Sequence, residues 1–171
     1  MPVTADAVRT LRQITGAGFI ECKVALEDTK GDIDAAAQEL RKKGIAKGKA
    51  LSDKRGTAGL SQGLVEVYSH PGGRVGVMVE INCATDFVAR TPDFKELARN
   101  IAMQIAAMDP EFVGHDDVPE GFAGNLKEAA LLEQSYIRDQ SKVVKDVIAE
   151  AIGKLGENIR VRRFIRYVLA N

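Results

Sequence analysis

The residue types that most often carry chemistry in proteins are few and widely spaced in this sequence. It contains two histidines, His70 and His115, and two cysteines, Cys22 and Cys83. These four residues do not lie at the spacing of a metal site, and two cysteines make no disulfide framework. Both cysteines lie in apolar patterns, so we expect buried, unreactive thiols. We therefore predict no catalytic residue, no metal ligand and no cofactor, and expect that the protein is not an enzyme.

Charge and hydropathy narrow the class of protein further. The chain has 24 basic and 24 acidic residues, and 45% of its 171 residues are hydrophobic. A neutral chain is not built to coat nucleic acid through its overall field, and this apolar fraction allows a packed core. The start, MPVTADAVRTLRQ, does not resemble a secretory signal, and no stretch approaches the roughly 18 apolar residues of a membrane-spanning helix. We expect a cytoplasmic protein that binds neither membranes nor nucleic acid directly.

Three other patterns are weak candidates for binding sites. Gly16, Gly18 and Gly31 make no phosphate-binding loop, because no strand precedes them and the lysine of such a loop is missing. The acidic segment 109–123 does not match the spacing of a calcium-binding loop. The basic run 41–55 lacks the aromatic residues that stack on bases. We interpret this run as a solvated linker or as a docking edge for an acidic partner.

The first 44 residues show apolar positions at helical spacing in three short segments. Thr4 and Asp32 are predicted to cap the first and third helices. Gly16 is predicted to end the first helix and Gly44 the third. These signals indicate a three-helix module at residues 1–44. Residues 45–59 are rich in Lys, Gly and Ala, which favours a basic linker or a frayed helix.

The pattern changes from helical to alternating after residue 59. Apolar residues alternate from Val75 to Ile81 after a turn at 70–73, which predicts a hairpin with one buried face. Helices are predicted from Pro92 to about Met108, near 124–135 and near 140–153, followed by a long third strand at 158–169. Residues 60–171 therefore form the predicted core domain, which mixes helices with a small sheet.

One segment, NCATDFVAR at residues 82–90, forms a short connection between the predicted hairpin and the helix that starts at Pro92. Phe87 is a large apolar side chain with the charged Asp86 beside it. The pattern leaves two interpretations open for the ring. It either folds back into the core, or it is an exposed aromatic anchor of the kind that dominates protein interfaces.

The same segment resembles the signature of the elongation factor Ts family, which has TDFV at its centre. The stretch LRQITGAGFIECKVALEDTKGDIDAAAQELRKKGIAK is similar to the N-terminal module of that family, and LLEQSYIRD and GENIRVRRFIRY to its C-terminal blocks. Several motifs in the right order along nearly the whole chain make the resemblance specific.

The resemblance implies a guanine-nucleotide exchange factor for the translation GTPase elongation factor Tu. It implies an α+β fold, with a three-helix module similar to the ubiquitin-associated domain and a core whose small three-stranded antiparallel sheet is packed by helices. Short members of the family pair as homodimers, so we expect a dimer built through the sheet.

The resemblance also assigns site residues. The TDFV motif of the family intrudes into the GTPase and displaces its magnesium ion, and it is matched here by Thr85, Asp86, Phe87 and Val88. Phe87 would be the wedge and Asp86 would hydrogen-bond the partner beside it. In the N-terminal module, the positions that contact the nucleotide domain of the GTPase are matched by Arg12, Phe19, Ile20 and Lys23.

Four positions depart from the family pattern. Ala84 replaces the usual acidic residue before TDFV, and Gln62 stands where an acidic residue is common. Phe19 and Ile20 replace the usual methionine pair after TGAG. These changes bear on the strength of the contacts, since Asp86 and Phe87 are retained.

Three alternative functions use other parts of the sequence. A ubiquitin-associated-like binding module without exchange activity would use Gly18, Phe19 and Ile20 as its recognition loop, but it accounts only for residues 1–44. An RNA-binding protein would use the basic run and the arginines of the third strand, although alternate arginines on a strand usually line a solvated face. An enzyme would need a cluster of His, Cys or carboxylates, which the sequence does not offer at recognisable spacing.

Overall fold

Three helices open the chain and enclose a small core. The computed structural model describes residues 3–56 and 58–170, so residues 1, 2, 57 and 171 of the predicted segments lie outside it. The helices are α1 (Ala5–Thr15), α2 (Phe19–Asp28) and α3 (Ile33–Arg55). The predicted caps are confirmed: the Thr4 side chain accepts a hydrogen bond from the Ala7 amide, and Asp32 from the Ala35 amide. Gly16 ends α1 in the left-handed conformation. Seven residues are buried between the helices: Val8, Leu11, Cys22, Ala25, Leu26, Ala36 and Leu40.

The prediction that Gly44 ends the third helix is wrong, because α3 continues to Arg55. A Cβ atom on Gly48 would clash with the carbonyl oxygen of Ala149, and one on Gly153 with the carbonyl oxygen of Gly44. Gly48 on α3 and Gly153 on α7 (Val144–Leu155) therefore allow the two helices to pack closely. This tertiary contact overrides the low helix propensity of glycine. The division into units at 1–44, 45–59 and 60–171 stays a prediction about folding.

The basic run lies on this continuous helix and faces acidic residues of α7. Arg41 lies 3.7 Å from the Glu150 carboxylate, and the Lys49 ammonium lies 3.0 Å from Asp146. The run therefore docks, in part, within its own chain. This arrangement offsets part of the charge that the RNA-binding alternative would use.

A three-stranded antiparallel sheet forms the centre of the second part, as predicted. Its strands are β1 (Gln62–Ser69), β2 (Val75–Cys83) and β5 (Ile159–Val168), with β2 in the middle. The alternation in β2 is confirmed, since Val77, Val79 and Ile81 are buried. Helices α5 (Pro92–Met108) and α7 cover this inner face with Phe94, Leu97, Ile101, Ile105, Val144, Ile148 and Ile152. The mixed α+β fold and the helix from Pro92 to Met108 are therefore confirmed.

The helix predicted near 140–153 is present as α7, but the segment between α5 and α7 differs from the single helix predicted near 124–135. It contains the short α6 (Leu126–Ala129), a hairpin of β3 (Ser135–Tyr136) and β4 (Asp139–Val143), and 3-10 turns at His115–Asp117 and Leu131–Glu133. The buried Gln104 of α5 holds this hairpin: its amide group donates to the Ser135 carbonyl and accepts from the Ile137 amide, at 3.1 and 2.9 Å. This long-range side-chain contact satisfies backbone groups that a helix would have paired internally.

The arginines of β5 do not all line one solvated face. Arg162 and Arg163 are exposed and pair with Glu80 at 3.0 and 2.8 Å. Arg166 instead reaches the end of α5, where it donates to the Ala106 carbonyl and pairs with Asp109 at 3.0 Å.

Within residues 3–56 and 58–170, no helix is long and apolar enough to cross a membrane.

Candidate functional site

The connection between β2 and α5 is built from consecutive turns. After Cys83 ends β2, Thr85 caps a one-turn helix, α4 (Asp86–Ala89). The Thr85 hydroxyl accepts a hydrogen bond from the Val88 amide at 3.4 Å. The Thr91 hydroxyl donates to the Val88 carbonyl at 2.8 Å and also caps α5. The first bond therefore closes the N-terminal end of the one-turn helix, and the second ties its C-terminal end to α5.

Phe87 projects from this turn into solvent. Its side chain is 80% exposed, the largest value among the exposed large hydrophobic residues of the described ranges. The neighbouring Val88 packs against the core, and Ala89 is buried. These two residues face inward, whereas the Phe87 ring points outward and does not fold back into the core. Of the two interpretations left open by the sequence, the exposed ring is confirmed.

Asp86 lies beside the ring and is paired weakly. Its carboxylate accepts from Arg90 at 2.9 Å, one helical turn further on; the Arg90 side chain is 78% exposed and that of Asp86 is 44% exposed. Surface ion pairs of this kind stabilise a protein by about 0.3–0.5 kcal/mol. A partner with a suitable hydrogen-bond donor can therefore take over this carboxylate at little cost.

Thr85 is held by a residue far away in sequence. Both carboxylate oxygens of Glu157 accept from it: one from the backbone N–H at 3.0 Å and one from the hydroxyl at 2.6 Å. Glu157 lies in the turn between α7 and β5. The thiol of Cys83 donates to the Thr85 carbonyl at 3.2 Å, and burial raises the pKa of that thiol. A protonated thiol is a poor nucleophile, in agreement with the predicted structural role of Cys83.

The four predicted contact residues of the N-terminal module are all exposed. Phe19 and Ile20 are 54% and 76% exposed at the start of α2, and Lys23 pairs with Glu27 at 3.8 Å. Arg12 and Phe19 border one shallow depression next to α1. Ile20 lies on the other side, where it borders a larger cleft. The structure therefore brings Arg12 and Phe19 together and points Ile20 toward the core domain.

That cleft separates the N-terminal helices from α5 and α7. Its volume is about 580 Å³, and its apolar lining includes Ile20 and Val24 on one side and Leu97 and Leu155 on the other. Lys154 lies across it: the ammonium is 2.7 Å from Asp93, and its methylene chain lies against Gly16. Asp93 is in the first turn of α5, directly after the Phe87 connection. One lysine thus links the region of Phe19 to the region of Phe87.

Comparison with known proteins decides the family. The sequence model described as "Elongation factor TS" matches residues 26–128, which is more than half of the chain. This protein belongs to the elongation factor Ts family. It is therefore a translation elongation factor by family, and the matched span includes the whole Phe87 connection.

Curated relatives extend the match to nearly the full length of this elongation factor Ts homologue. Elongation factor Ts of Coprothermobacter proteolyticus is 45% identical over 199 aligned residues, covering 99% of both chains. That of Thermotoga neapolitana is 45% identical and covers 98% of this chain and 97% of its own. That of Trichodesmium erythraeum is 44% identical, with 98% and 89% covered. A function confined to residues 1–44 does not account for similarity of this extent.

The elongation factor Ts site has few groups suited to bond-making chemistry. In the ranges 3–56 and 58–170, no group of three or more His, Cys, Asp and Glu residues is placed to hold a metal ion. His70 hydrogen-bonds the Tyr68 hydroxyl at 3.1 Å, next to the hairpin turn. What the arrangement offers instead is a set of exposed apolar side chains on fixed backbone, which is suited to binding another protein.

Sequence reasoning missed Glu157, which holds the threonine of the TDFV motif. The residue belongs to the block GENIRVRRFIRY, which carried part of the family resemblance but no assigned role. A glutamate after Gly156 in a turn is usually a solvated charge. Only the fold, which brings residue 157 within hydrogen-bond distance of residue 85, reveals the contact.

Proposed function

We propose that this protein binds the GDP form of elongation factor Tu and accelerates GDP release during translation elongation, in the cytoplasm. The observation that carries the proposal is the exposed Phe87 ring on a one-turn helix tied at both ends. An apolar ring held outward by fixed backbone is suited to enter a partner with little loss of conformational entropy.

The mechanism is displacement rather than covalent chemistry. Magnesium bridges nucleotide phosphate and protein oxygens in such GTPases, so its loss weakens the binding of GDP. Phe87 acts as a wedge beside the magnesium site and Asp86 accepts a hydrogen bond from the partner next to it. Val88 packs inward and fixes the base of the wedge. No bond is made or broken by this chain, so no side chain needs a tuned pKa.

The energetics fit one strong and one supporting contact region. Exchange is a coupling between two ligands of the GTPase. The exchange factor weakens the binding of GDP, and GDP weakens the binding of the exchange factor by the same ratio. An aromatic hot spot contributes about 2–4 kcal/mol, and each 1.4 kcal/mol is tenfold. Phe87 alone therefore supports an acceleration of about 30- to 1000-fold. Arg12, Phe19, Ile20 and Lys23 supply the second region, which docks the module on the nucleotide domain.

Replacement of Phe87 tests this function. We expect Phe87→Ala to lower the maximal rate of GDP release from purified elongation factor Tu by about 100-fold, because the wedge is lost. The ring is 80% exposed, so the thermal midpoint should stay nearly unchanged. Stopped-flow release of a fluorescent GDP measures the rate. An unchanged rate for Phe87→Ala would contradict the wedge role of Phe87. If the wild-type chain did not accelerate GDP release, the proposed function itself would be overturned.

We also propose that the active form is a homodimer joined through the outer face of the sheet. Val67, Met78 and Ile165 are register partners in one row across all three strands, and each is 45–62% exposed. Glu80, Arg162 and Arg163 border this row with both charge signs, so two copies related by a twofold axis offer each other complementary groups. Sedimentation velocity at micromolar concentration tests this: a monomer would contradict it.

A further inference from the structure

We infer that Glu157 is a positioning residue for nucleotide exchange, which holds Thr85 so that Phe87 is presented in one fixed orientation. Thr85 then acts inside this chain rather than as a contact to the GTPase. The inference rests on the proposed function and assigns a new role to the turn between α7 and β5.

The contact fixes both the position and the rotation of Thr85. The backbone N–H donates to one Glu157 oxygen at 3.0 Å and the hydroxyl to the other at 2.6 Å. Hydrogen bonds to an ionised carboxylate are about twice as strong as neutral ones, and two bonds to one residue add geometric restraint. A single bond would leave the residue free to pivot about it.

The remaining polar groups of Thr85 are engaged as well. Its carbonyl accepts from the Cys83 thiol at 3.2 Å and from the Ala89 amide at 3.3 Å. Its hydroxyl oxygen also accepts from the Val88 amide. A partner would have to break these bonds to use Thr85 directly. Phe87, in contrast, is accessible without any such loss, and Asp86 would give up only its surface ion pair with Arg90.

The position of Phe87 depends on these ties and on the inward packing of Val88. The ring makes almost no packing contact, being 80% exposed. One turn of helix is unstable in isolation, since nucleation costs more than a single hydrogen bond returns. The Glu157–Thr85 contact restrains the N-cap of the turn, and the Thr91–Val88 bond restrains a residue near its C-terminal end. Loss of the first restraint would let the ring sample several orientations, of which few are productive.

Substitution at Glu157 separates positioning from docking. Glu157→Gln keeps the size of the side chain and loses one of the two acceptor oxygens. We expect the maximal rate of GDP release to fall about tenfold, which corresponds to about 1.4 kcal/mol. The concentration of factor at half-maximal rate should stay within about twofold, because the N-terminal contacts are untouched. Thr85→Val should behave similarly, whereas Thr85→Ser should stay near wild type.

A double substitution distinguishes positioning from a general structural role. In the Phe87→Ala background, Glu157→Gln should have no further effect, because the side chain that it positions is gone. A tenfold loss in both backgrounds would overturn the inference. Glu133→Gln is the matched control, since Glu133 pairs with Lys145 on a different element. It should leave the rate unchanged.

The outcomes also separate this inference from the function on which it rests. If the wild-type chain does not accelerate GDP release, the proposed function fails and this inference with it. If the wild type is active and both Glu157→Gln and Thr85→Val match it, only the positioning role fails. If Glu157→Gln does not fold, a folded Thr85→Val decides the question in the same assay, with Thr85→Ser as its reference.

Discussion

The two exposed apolar regions that we propose to contact the GTPase have similar chemistry and very different support. Phe87 lies on a turn whose ends are tied to the large core between the sheet, α5 and α7. Phe19 and Ile20 lie at the start of α2, in a module with a small core of its own. Small cores provide little stability by themselves. The module therefore depends on the docking of α3 against α7, whereas the Phe87 turn depends on a few polar contacts.

The largest effect is expected where the helices α3 and α7 cross. Gly48→Ala places a Cβ atom against the Ala149 carbonyl and should lower the free energy of unfolding by about 2 kcal/mol. A Cβ atom on Gly44 would point into open space, so Gly44→Ala should raise stability by up to about 1 kcal/mol through helix propensity. Urea denaturation measures both. Equal effects of the two substitutions would show that the crossing does not support the module.

An intermediate effect is expected at the start of α2. Ile20→Ala removes a side chain that is 76% exposed, so stability should change little. We expect the concentration of factor at half-maximal GDP release to rise about tenfold, or about 1.4 kcal/mol, with the maximal rate within about twofold. This is the reverse of the pattern expected for Phe87→Ala. If Ile20→Ala lowered the maximal rate instead, the two regions would not have separate roles in docking and displacement.

The smallest effect is expected at the lysine that spans the cleft. Lys154→Met keeps the methylene chain against Gly16 and removes the ion pair with Asp93. The ammonium and carboxylate are both about half exposed, so the loss should be at most about 1 kcal/mol. The thermal midpoint of unfolding and the concentration of factor at half-maximal GDP release should both change little. A loss as large as that of Gly48→Ala would mean that the ion pair, not the helix crossing, holds the module.

Local signals in the sequence predicted those parts of the fold that local signals control. The caps at Thr4 and Asp32, the alternation along β2 and the proline start of α5 all follow from residues close in sequence. The end of α3 and the hairpin after α6 do not. Gly44 and Gly48 indicate a break until α7 is seen packed against them, and the hairpin depends on the buried Gln104 of α5.

The site divides in the same way. The motif that contains Phe87 was recognisable from its residues and from the family resemblance, but the pattern left the exposure of the ring open. The structure shows the exposure: Phe87 projects into solvent, whereas the next two residues, Val88 and Ala89, face the core. Glu157 was not predictable, because a bond between residues 72 positions apart leaves no periodic or spacing signal in one sequence.

The unbroken course of α3 has a mechanical consequence. At about 1.5 Å per residue, its 23 residues form a rod about 35 Å long that belongs to both cores. Its N-terminal end lies about 22 Å from the crossing at Gly48. A tilt of only about 5° at the crossing would swing that end by about 2 Å, more than the tolerance of a tightly packed interface. The close contact at Gly48 therefore fixes the angle of α3. Through that angle it sets the distance between the N-terminal contact residues and the Phe87 turn.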